Sequence, residues 1–400
     1  MSVNDKKLYL LDAYALIYRA YFAFSNNHRI NSKGLNTSAI LGFTNTLLEV
    51  LKKEKPTHIA VVFDTSEPTV RHTEFPEYKA NREETPEDLS AAIPYIIKII
   101  EGFHIPVLFS HGYEADDVIG TLAKKAEKEG YTTYMMTPDK DYGQLVSDHI
   151  FIYKPARLGN GVEIMGPAEV CKKWDIASVD QLIDILGLMG DKVDNIPGIP
   201  GVGEKTAIQL IKDFGSIENM LQNTDKLKGK LKEKVEANKD KAIQSKKLAT
   251  IICDVPIEFD EKKLIMEEPD KEALKALFTE LEFRRLAEQL NLNAAESKPE
   301  KVKTEKSKAA QVKINSDQID MFESDVAVEE AAALETELSG EEEQQAANII
   351  YKTSTDVEHT YHLIDTKEKR TALIATLMSK PAISFDTETT GLDANNAELV

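Results

Sequence analysis

The sequence predicts an α/β fold, a mostly parallel sheet flanked by helices, followed by a smaller helical subdomain. Short apolar runs alternate with amphipathic stretches through the first 165 residues, the order that builds parallel sheets through helical crossovers. Three of these runs end in or beside an aspartate, as strands that deliver ligands at a sheet edge do. Beyond about residue 165 the strand signals fade while helical periodicity continues.

Taken in order, KLYLLD, HIAVVFD, HIPVLFS and YTTYMMT read as buried strands, because short apolar runs bounded by polar residues suit a sheet covered on both faces. Helix-like stretches near 13–23, 36–54, 86–101 and 114–129 separate them, completing an α/β domain over 1–165. Segments near 167–187, 204–214, 226–248 and 271–289 read as helices joined by short loops, giving a helical subdomain over 166–290. Residues 291–347 turn to Lys, Glu, Ala, Ser and Gln, too poor in large apolar side chains to offset the entropy of ordering, and are expected to be a disordered linker. Periodicity returns with NIIYKTS, a helix-like stretch near 367–379 and AISFDTETTGLD, so 348–400 reads as the incomplete start of another α/β domain.

Length and composition agree with this division. Four hundred residues make two to three domains at roughly 150 residues each. A 42% apolar content excludes a wholly disordered chain. The formal charge of -19 argues at first against a nucleic-acid partner, but the charge is uneven. Residues 1–290 hold 38 basic against 46 acidic side chains, whereas 316–347 hold eleven acids and no base. Cys171 and Cys253 form neither a disulfide framework nor a zinc spacing, and no run approaches the ~18 apolar residues of a membrane span. A reducing, cytoplasmic setting is expected, with no membrane partner.

The carboxylates carry the chemistry. Asp12 follows LYLL, Asp64 follows IAVVF, and Asp139 and Asp141 lie just past TYMM, so all four should converge on the carboxyl edge of the sheet. Glu114, Asp116 and Asp117 open the helix of GYEADDVIGTLAKKAEK at the same edge, and Asp191 and Asp194 in GDKVDNIPG supply two more. Each alone reads equally as a helix cap or a partner for a helix dipole. Nine together would repel one another, and divalent cations are the usual resolution. Oxygen ligands without Cys or His favour Mg²⁺ or Mn²⁺, and two such ions about 4 Å apart would activate a water and stabilise the leaving oxygen of a phosphodiester. Without those nine acids, residues 1–290 change from -8 to +1.

Two further stretches suit a nucleic acid. NIPGIPGVGEKTA places Gly198, Gly201 and Gly203 before Lys205 and Thr206 at the start of a helix, where backbone N–H groups and the helix dipole can meet a phosphate. The nine lysines within 226–247 read either as phosphate contacts or as a solvated helix face. In RHTEFPEYKANR, Arg71, Lys79 and Arg82 alternate with Phe75 and Tyr78, so cations could grip a phosphate while a ring stacks on a base, unless the stretch is only a mobile polar loop. Tyr14, Tyr18 and Arg19 share a helical spacing that core residues also show.

Over residues 6 to about 290, five motifs in order resemble the 5'-nuclease (flap endonuclease) family, in the form that opens bacterial DNA polymerase I: LYLLDAYALIYRAYFA, VVFDTSEPTVRHTEFPEYKANR, GYEADDVIGTLAKKAEKEG, TPDKDYGQLV and GDKVDNIPGIPGVGEKTA. The resemblance implies a PIN-like sheet, an arch that threads the 5' end and a helix-hairpin-helix that holds the duplex. It assigns the nine acids to the metal cluster, Tyr78, Lys79 and Arg82 to the arch, and Gly198, Gly201 and Gly203 to the hairpin, where a K⁺ ion is also expected. The implied activity is metal-dependent removal of 5' flaps and RNA primers from nicked or flapped DNA by a monomer. The rival readings are a non-catalytic, structure-specific DNA-binding module and a PIN-like ribonuclease.

Near the end of the chain, AISFDTETTGLD resembles the first motif of the same polymerases' 3'-5' proofreading domain, with Asp386 and Glu388 as ligands of an incomplete site. The resemblance therefore implies a fragment of a longer polymerase or a truncated record. Within the linker, Gln318, Ile319, Asp320, Met321 and Phe322 resemble the pentapeptide by which bacterial proteins dock on the sliding clamp, or else are a chance composition.

Overall fold

A computed structural model describes residues 6–25, 27–82, 84–156, 161–292 and 366–378. The expected linker beyond 292, the clamp-type peptide 318–322, and Asp386 and Glu388 lie outside the described residues. The chain divides into two units, Met1–Glu341 and Glu342–Val400. In the second, the helix Lys367–Met378 is described.

The first unit opens with β1 (Lys7–Asp12), α1 (Ala13–Phe22), α2 (Ser38–Lys53), β2 (His58–Val62), α3 (Val70–Glu74), α4 (Glu87–Gly102), β3 (Val107–Leu108), α5 (Ala115–Lys128), β4 (Thr132–Met136), β5 (Ile150–Lys154) and β6 (Glu163–Met165). The sheet order is β3-β2-β1-β4-β5-β6, parallel throughout except for β6, which runs antiparallel to β5. Winding therefore proceeds outward from β1 to β3, then resumes on the other side of β1 with β4. The crevice between the carboxyl ends of β1 and β4 is the topological switch point of the sheet, where such folds bind ligands.

Period-two alternation explains why the central strands are apolar throughout. Leu8 and Leu10 face one core with Ala60, Val62, Val118 and Leu122, while Tyr9 and Leu11 face another with Ile59, Val61, Phe43 and Ile96. The four expected strands are present, β3 as two residues only. Strands β5 and β6 were not expected from the sequence. In β5 the run IFIYK has only four apolar residues before Lys154, too short a run to be told from a loop or a helical turn by periodicity alone.

The helical part comprises α6 (Pro167–Trp174), α7 (Gln181–Met189), α8 (Glu204–Phe214), α9 (Ile217–Gln222), α10 (Gly229–Ala237), α11 (Lys239–Ala249), α12 (Glu261–Leu264), α13 (Lys271–Glu280) and α14 (Arg284–Gln289). Three long helices expected from periodicity are each broken in two. Asp175 ends α6 in the left-handed region at φ 51°, and Glu282 separates α13 from α14 at φ 63°. Between α10 and α11 the break falls at Asn238, whose side-chain amide turns back to the Lys234 carbonyl at 2.8 Å. The last helices leave the helical part altogether. Leu274 and Phe278 of α13 join the core formed by α2 and α4, a placement the boundary 166–290 did not anticipate.

Candidate active site

Several of the expected acids are held by local backbone features. Asp12 caps α1, accepting the Ala15 N–H at 3.2 Å on Oδ1, while Oδ2 takes the hydroxyls of Thr137 at 3.2 Å and Tyr142 at 3.1 Å. Asp64 accepts the Ala115 N–H at 2.9 Å, which ties the end of β2 to the first turn of α5. Glu114 and Asp117 form a reciprocal capping box on α5, the Glu114 N–H donating to Asp117 at 3.2 Å. Asp139 accepts the Asp141 N–H at 2.9 Å at the start of the 3₁₀ turn Lys140–Leu145. Asp191 accepts the Val193 N–H at 2.8 Å.

Cations of the chain face these acids. Lys79 Nζ donates to Glu114 Oε1 at 2.8 Å and stands 3.9 Å from Asp194, Arg82 donates to Asp194 at 2.5 Å, and Lys140 pairs with Asp191 at 3.2 Å. Two expected DNA contacts are placed elsewhere. Arg71 is only 4% exposed, its guanidinium forked on Asp117 at 2.7 and 2.7 Å and bonded to Glu114 and to the carbonyls of Leu248 and Thr250. An arginine so saturated braces the acid helix against the end of α11 and has no donors turned to a phosphate. Tyr78 is buried, with its hydroxyl on Glu114 at 3.0 Å, so its ring is not available to stack on a base. Of the weaker candidates, Tyr18 bonds Thr85 and Arg19 bonds the Pro155 and Ala156 carbonyls.

The electrostatics show acids crowded beyond what these cations offset. Burial first, then the charge of Asp64, raises the Asp12 carboxyl to about 7. Burial also raises Asp64 and Asp139, and burial with Asp117 and Glu114 alongside raises Asp116 well above the ordinary carboxylate range. Asp141 is raised by burial and by Asp139, and its Oδ1 is buried without a hydrogen-bond partner. Lys79 loses by burial, but Glu114 and Asp194 more than reverse the loss and raise it. Among the described residues no three acidic, His or Cys side chains close on a common point, since Glu114, Asp117, Asp191 and Asp194 are turned toward the chain's own cations. The donor set nonetheless fits a hard divalent cation: it is all carboxylate oxygen, five of its members are disfavoured as free anions by burial, and one buried oxygen, Asp141 Oδ1, has no hydrogen-bond partner.

The expected hairpin lies between α7 and α8. Gly198, at φ 57°, packs so closely on Gly190 that a Cβ there would come within 2.6 Å of the Gly190 nitrogen, and its N–H donates to the buried Ser245 hydroxyl at 2.9 Å. Gly201 lies at φ 77° and exposed Gly203 caps α8, with Lys205 exposed and Thr206 half-exposed in the first turn. Sequence reasoning did not single out Thr137, Tyr142, Lys140 or Ser245. Lys140 alone left a signal, a base between two acids in PDKD.

An acid-lined switch point on a mostly parallel sheet, followed by a helical hairpin, defines the PIN-like 5'-nuclease class. Residues 7–175 match the family model "5'-3' exonuclease, N-terminal resolvase-like domain", and 177–272 match "5'-3' exonuclease, C-terminal SAM fold". The chain belongs to this 5'-3' exonuclease family. It is 44% identical over 293 residues to DNA polymerase I of Bacillus subtilis, covering 73% of this chain and 33% of that protein. It thus spans about a third of the length of the curated relatives it matches. Similar solved folds include the catalytic core of Rad2 in complex with DNA substrate (TM-score 0.51, 20% identity, 73% of this chain and 93% of that one). The T5 5'-exonuclease with bound zinc ions gives a TM-score of 0.50 at 20% identity, covering 72% of this chain and 99% of the other.

Proposed function

We propose that this chain hydrolyses phosphodiesters near the junction of single-stranded and duplex DNA, removing 5' flaps and RNA primers at nicks during replication and repair. The observation that carries the reading is the crowding of desolvated acids beyond the carboxyl ends of the strands, Asp12 beside Asp64 and Asp139 beside Asp141, Asp191 and Asp194, with Lys79 facing Glu114 and Arg82 facing Asp194. Asp12, Asp64, Glu114, Asp116, Asp117, Asp139, Asp141, Asp191 and Asp194 would hold two or more Mg²⁺ or Mn²⁺ ions. Such ions lower the pKa of water and polarise a phosphate oxygen. The chain's own groups do the rest. Lys79 and Arg82 exchange their carboxylate partners for the phosphate and offset its charge, Thr137 and Tyr142 fix the rotamer of Asp12, and Arg71 braces Glu114 and Asp117.

Duplex DNA would lie on the hairpin, meeting Gly201, Gly203, Lys205 and Thr206. A K⁺ ion at the same turn, docking of 318–322 on the sliding clamp, a monomeric state and a cytoplasmic setting complete the proposal. Among the described residues no helix is long and apolar enough to cross a membrane. Cleavage of a 5'-labelled double-flap DNA with Mg²⁺ and with EDTA, beside Asp116→Ala, tests the reading. A short 5' product that needs Mg²⁺ and is lost in the variant is expected. Binding without cutting in Mg²⁺ or Mn²⁺ would instead mark a non-catalytic DNA-binding module.

A further inference from the structure

Segment 77–82 and loop 191–195 are joined by contacts that the proposed chemistry does not itself require. The Lys79 N–H donates to the Asp194 carbonyl at 2.9 Å. The Asn81 side-chain amide donates to the Lys192 carbonyl at 2.7 Å, and the Asn195 amide donates to the Glu77 carbonyl at 2.7 Å. The two asparagines therefore bond in opposite directions, each reaching the other segment's backbone. At this same contact both backbones enter the left-handed region, Lys79 at φ 56° and Asn195 at φ 56°. Such conformations outside glycine cost on the order of 1 kcal/mol or more and persist where surrounding contacts over-determine them.

The bend at Lys79 sets the direction in which its side chain leaves the backbone. Its ammonium reaches Glu114 and stands 5.0 Å from the centre of the Tyr78 ring, while Arg82, whose N–H donates to the Lys79 carbonyl at 3.1 Å, reaches Asp194. Tyr78 anchors the segment at one point, through its buried ring and its hydroxyl on Glu114, but Pro76, Glu77, Ala80 and Asn81 are all exposed, so beyond that anchor the bonds to loop 191–195 set the direction in which Lys79 leaves the backbone.

We infer that Asn195 is a positioning residue: together with Asn81 it latches segment 77–82 onto loop 191–195 and so aims Lys79 at the acid edge. The inference rests on the role given to Lys79 above. Asn195→Gly tests it, because glycine keeps the left-handed backbone and deletes only the amide. Hydrogen exchange at the Lys79 and Arg82 amides should be about tenfold faster in the variant, with the exchange of β1 and β4 unchanged. Single-turnover cleavage of a double flap should fall about tenfold in the wild-type background and by no more than about twofold in a Lys79→Ala background, since a residue acting through Lys79 has nothing to aim once that side chain is gone. Unchanged exchange over 78–82, or equal losses in the two backgrounds, overturns the latch. If Lys79→Ala by itself cuts at the wild-type rate, the role given to Lys79 in the proposed function fails, and exchange still decides whether Asn195 holds the segment.

Discussion

At the scale of single residues, Asp12 shows how the site trades stability for chemistry. Its carboxyl is raised to about 7, by burial first and then by Asp64, against the pull of the Ala15 N–H and the Tyr142 hydroxyl. A carboxyl raised in the folded state stabilises the fold fully below its unfolded pKa of about 4, and that stabilisation is lost as pH climbs through 7. In EDTA, thermal midpoints should therefore fall between pH 4 and 7, and Asp12→Asn should flatten that slope. The variant keeps the shape, and the Thr137 and Tyr142 hydroxyls can turn to accept from the new amide. It should gain about 1 kcal/mol at pH 8 in EDTA while losing cleavage in Mg²⁺ by orders of magnitude. Calorimetry across pH decides, and an unchanged slope would place the titration on another acid. The positions of the acids were legible because aspartates at strand ends declare themselves. Their supports were not: nothing in the spelling of Thr137 or Tyr142 says that both hydroxyls turn to one carboxylate, and Arg71 and Tyr78, read as DNA contacts, are buried beneath the acids.

Elements succeed or fail by their ends. The hairpin's glycines look alike in sequence but differ in the folded chain, and substitution should separate them. Gly203 has ordinary backbone and open space where a Cβ would sit, so Gly203→Leu should leave the thermal midpoint nearly unchanged and weaken binding of duplex DNA about tenfold or more if DNA lies there. Gly198→Ala meets the Gly190 nitrogen at 2.6 Å and the Met189 carbonyl carbon at 2.6 Å in a left-handed backbone, so it should cost about 2 kcal/mol or more of stability with or without DNA. Denaturation and binding isotherms on the two variants check this, and equal instability in both would remove Gly203 from the DNA-facing surface. The same local detail limited what could be read of the fold. The strands β1, β2 and β4 were plain as apolar runs, whereas helices were read too long, because the breaks at Asp175, Asn238 and Glu282 depend on left-handed turns or a single side-chain bond that periodicity does not register. That α13 returns to the core of α2 and α4 is a long-range fact, set by Leu274 and Phe278 and invisible to any local pattern.

For the molecule as a whole, charge and function conflict until charge is located. Residues 1–290 are net acidic, yet Asp12, Asp64, Asp116, Asp139 and Asp141 are desolvated and crowded by other acids, while Lys226, Lys228, Lys230, Lys234, Lys239 and Lys241 are exposed on and beside α10 and α11. Lys234 ties that basic face to the hairpin, since its ammonium reaches the space a side chain on Gly201 would fill. A duplex seated on the hairpin would then run across the lysines and keep its ordinary backbone away from the acids, with only the scissile phosphate brought to them. Two alternatives remain for the lysines, phosphate contact or plain solvation, and salt distinguishes them. Each phosphate contact releases condensed counterions and contributes about 0.9 to the slope of log affinity against log salt. In EDTA, where hydrolysis is stopped, the combined change Lys228→Ser, Lys230→Ser and Lys234→Ser should lower that slope by between about two and three relative to the wild-type chain. A loss of affinity with the slope intact would point to a general field effect, and no change in either would leave α10 a solvated face, with the duplex gripped by the hairpin backbone alone.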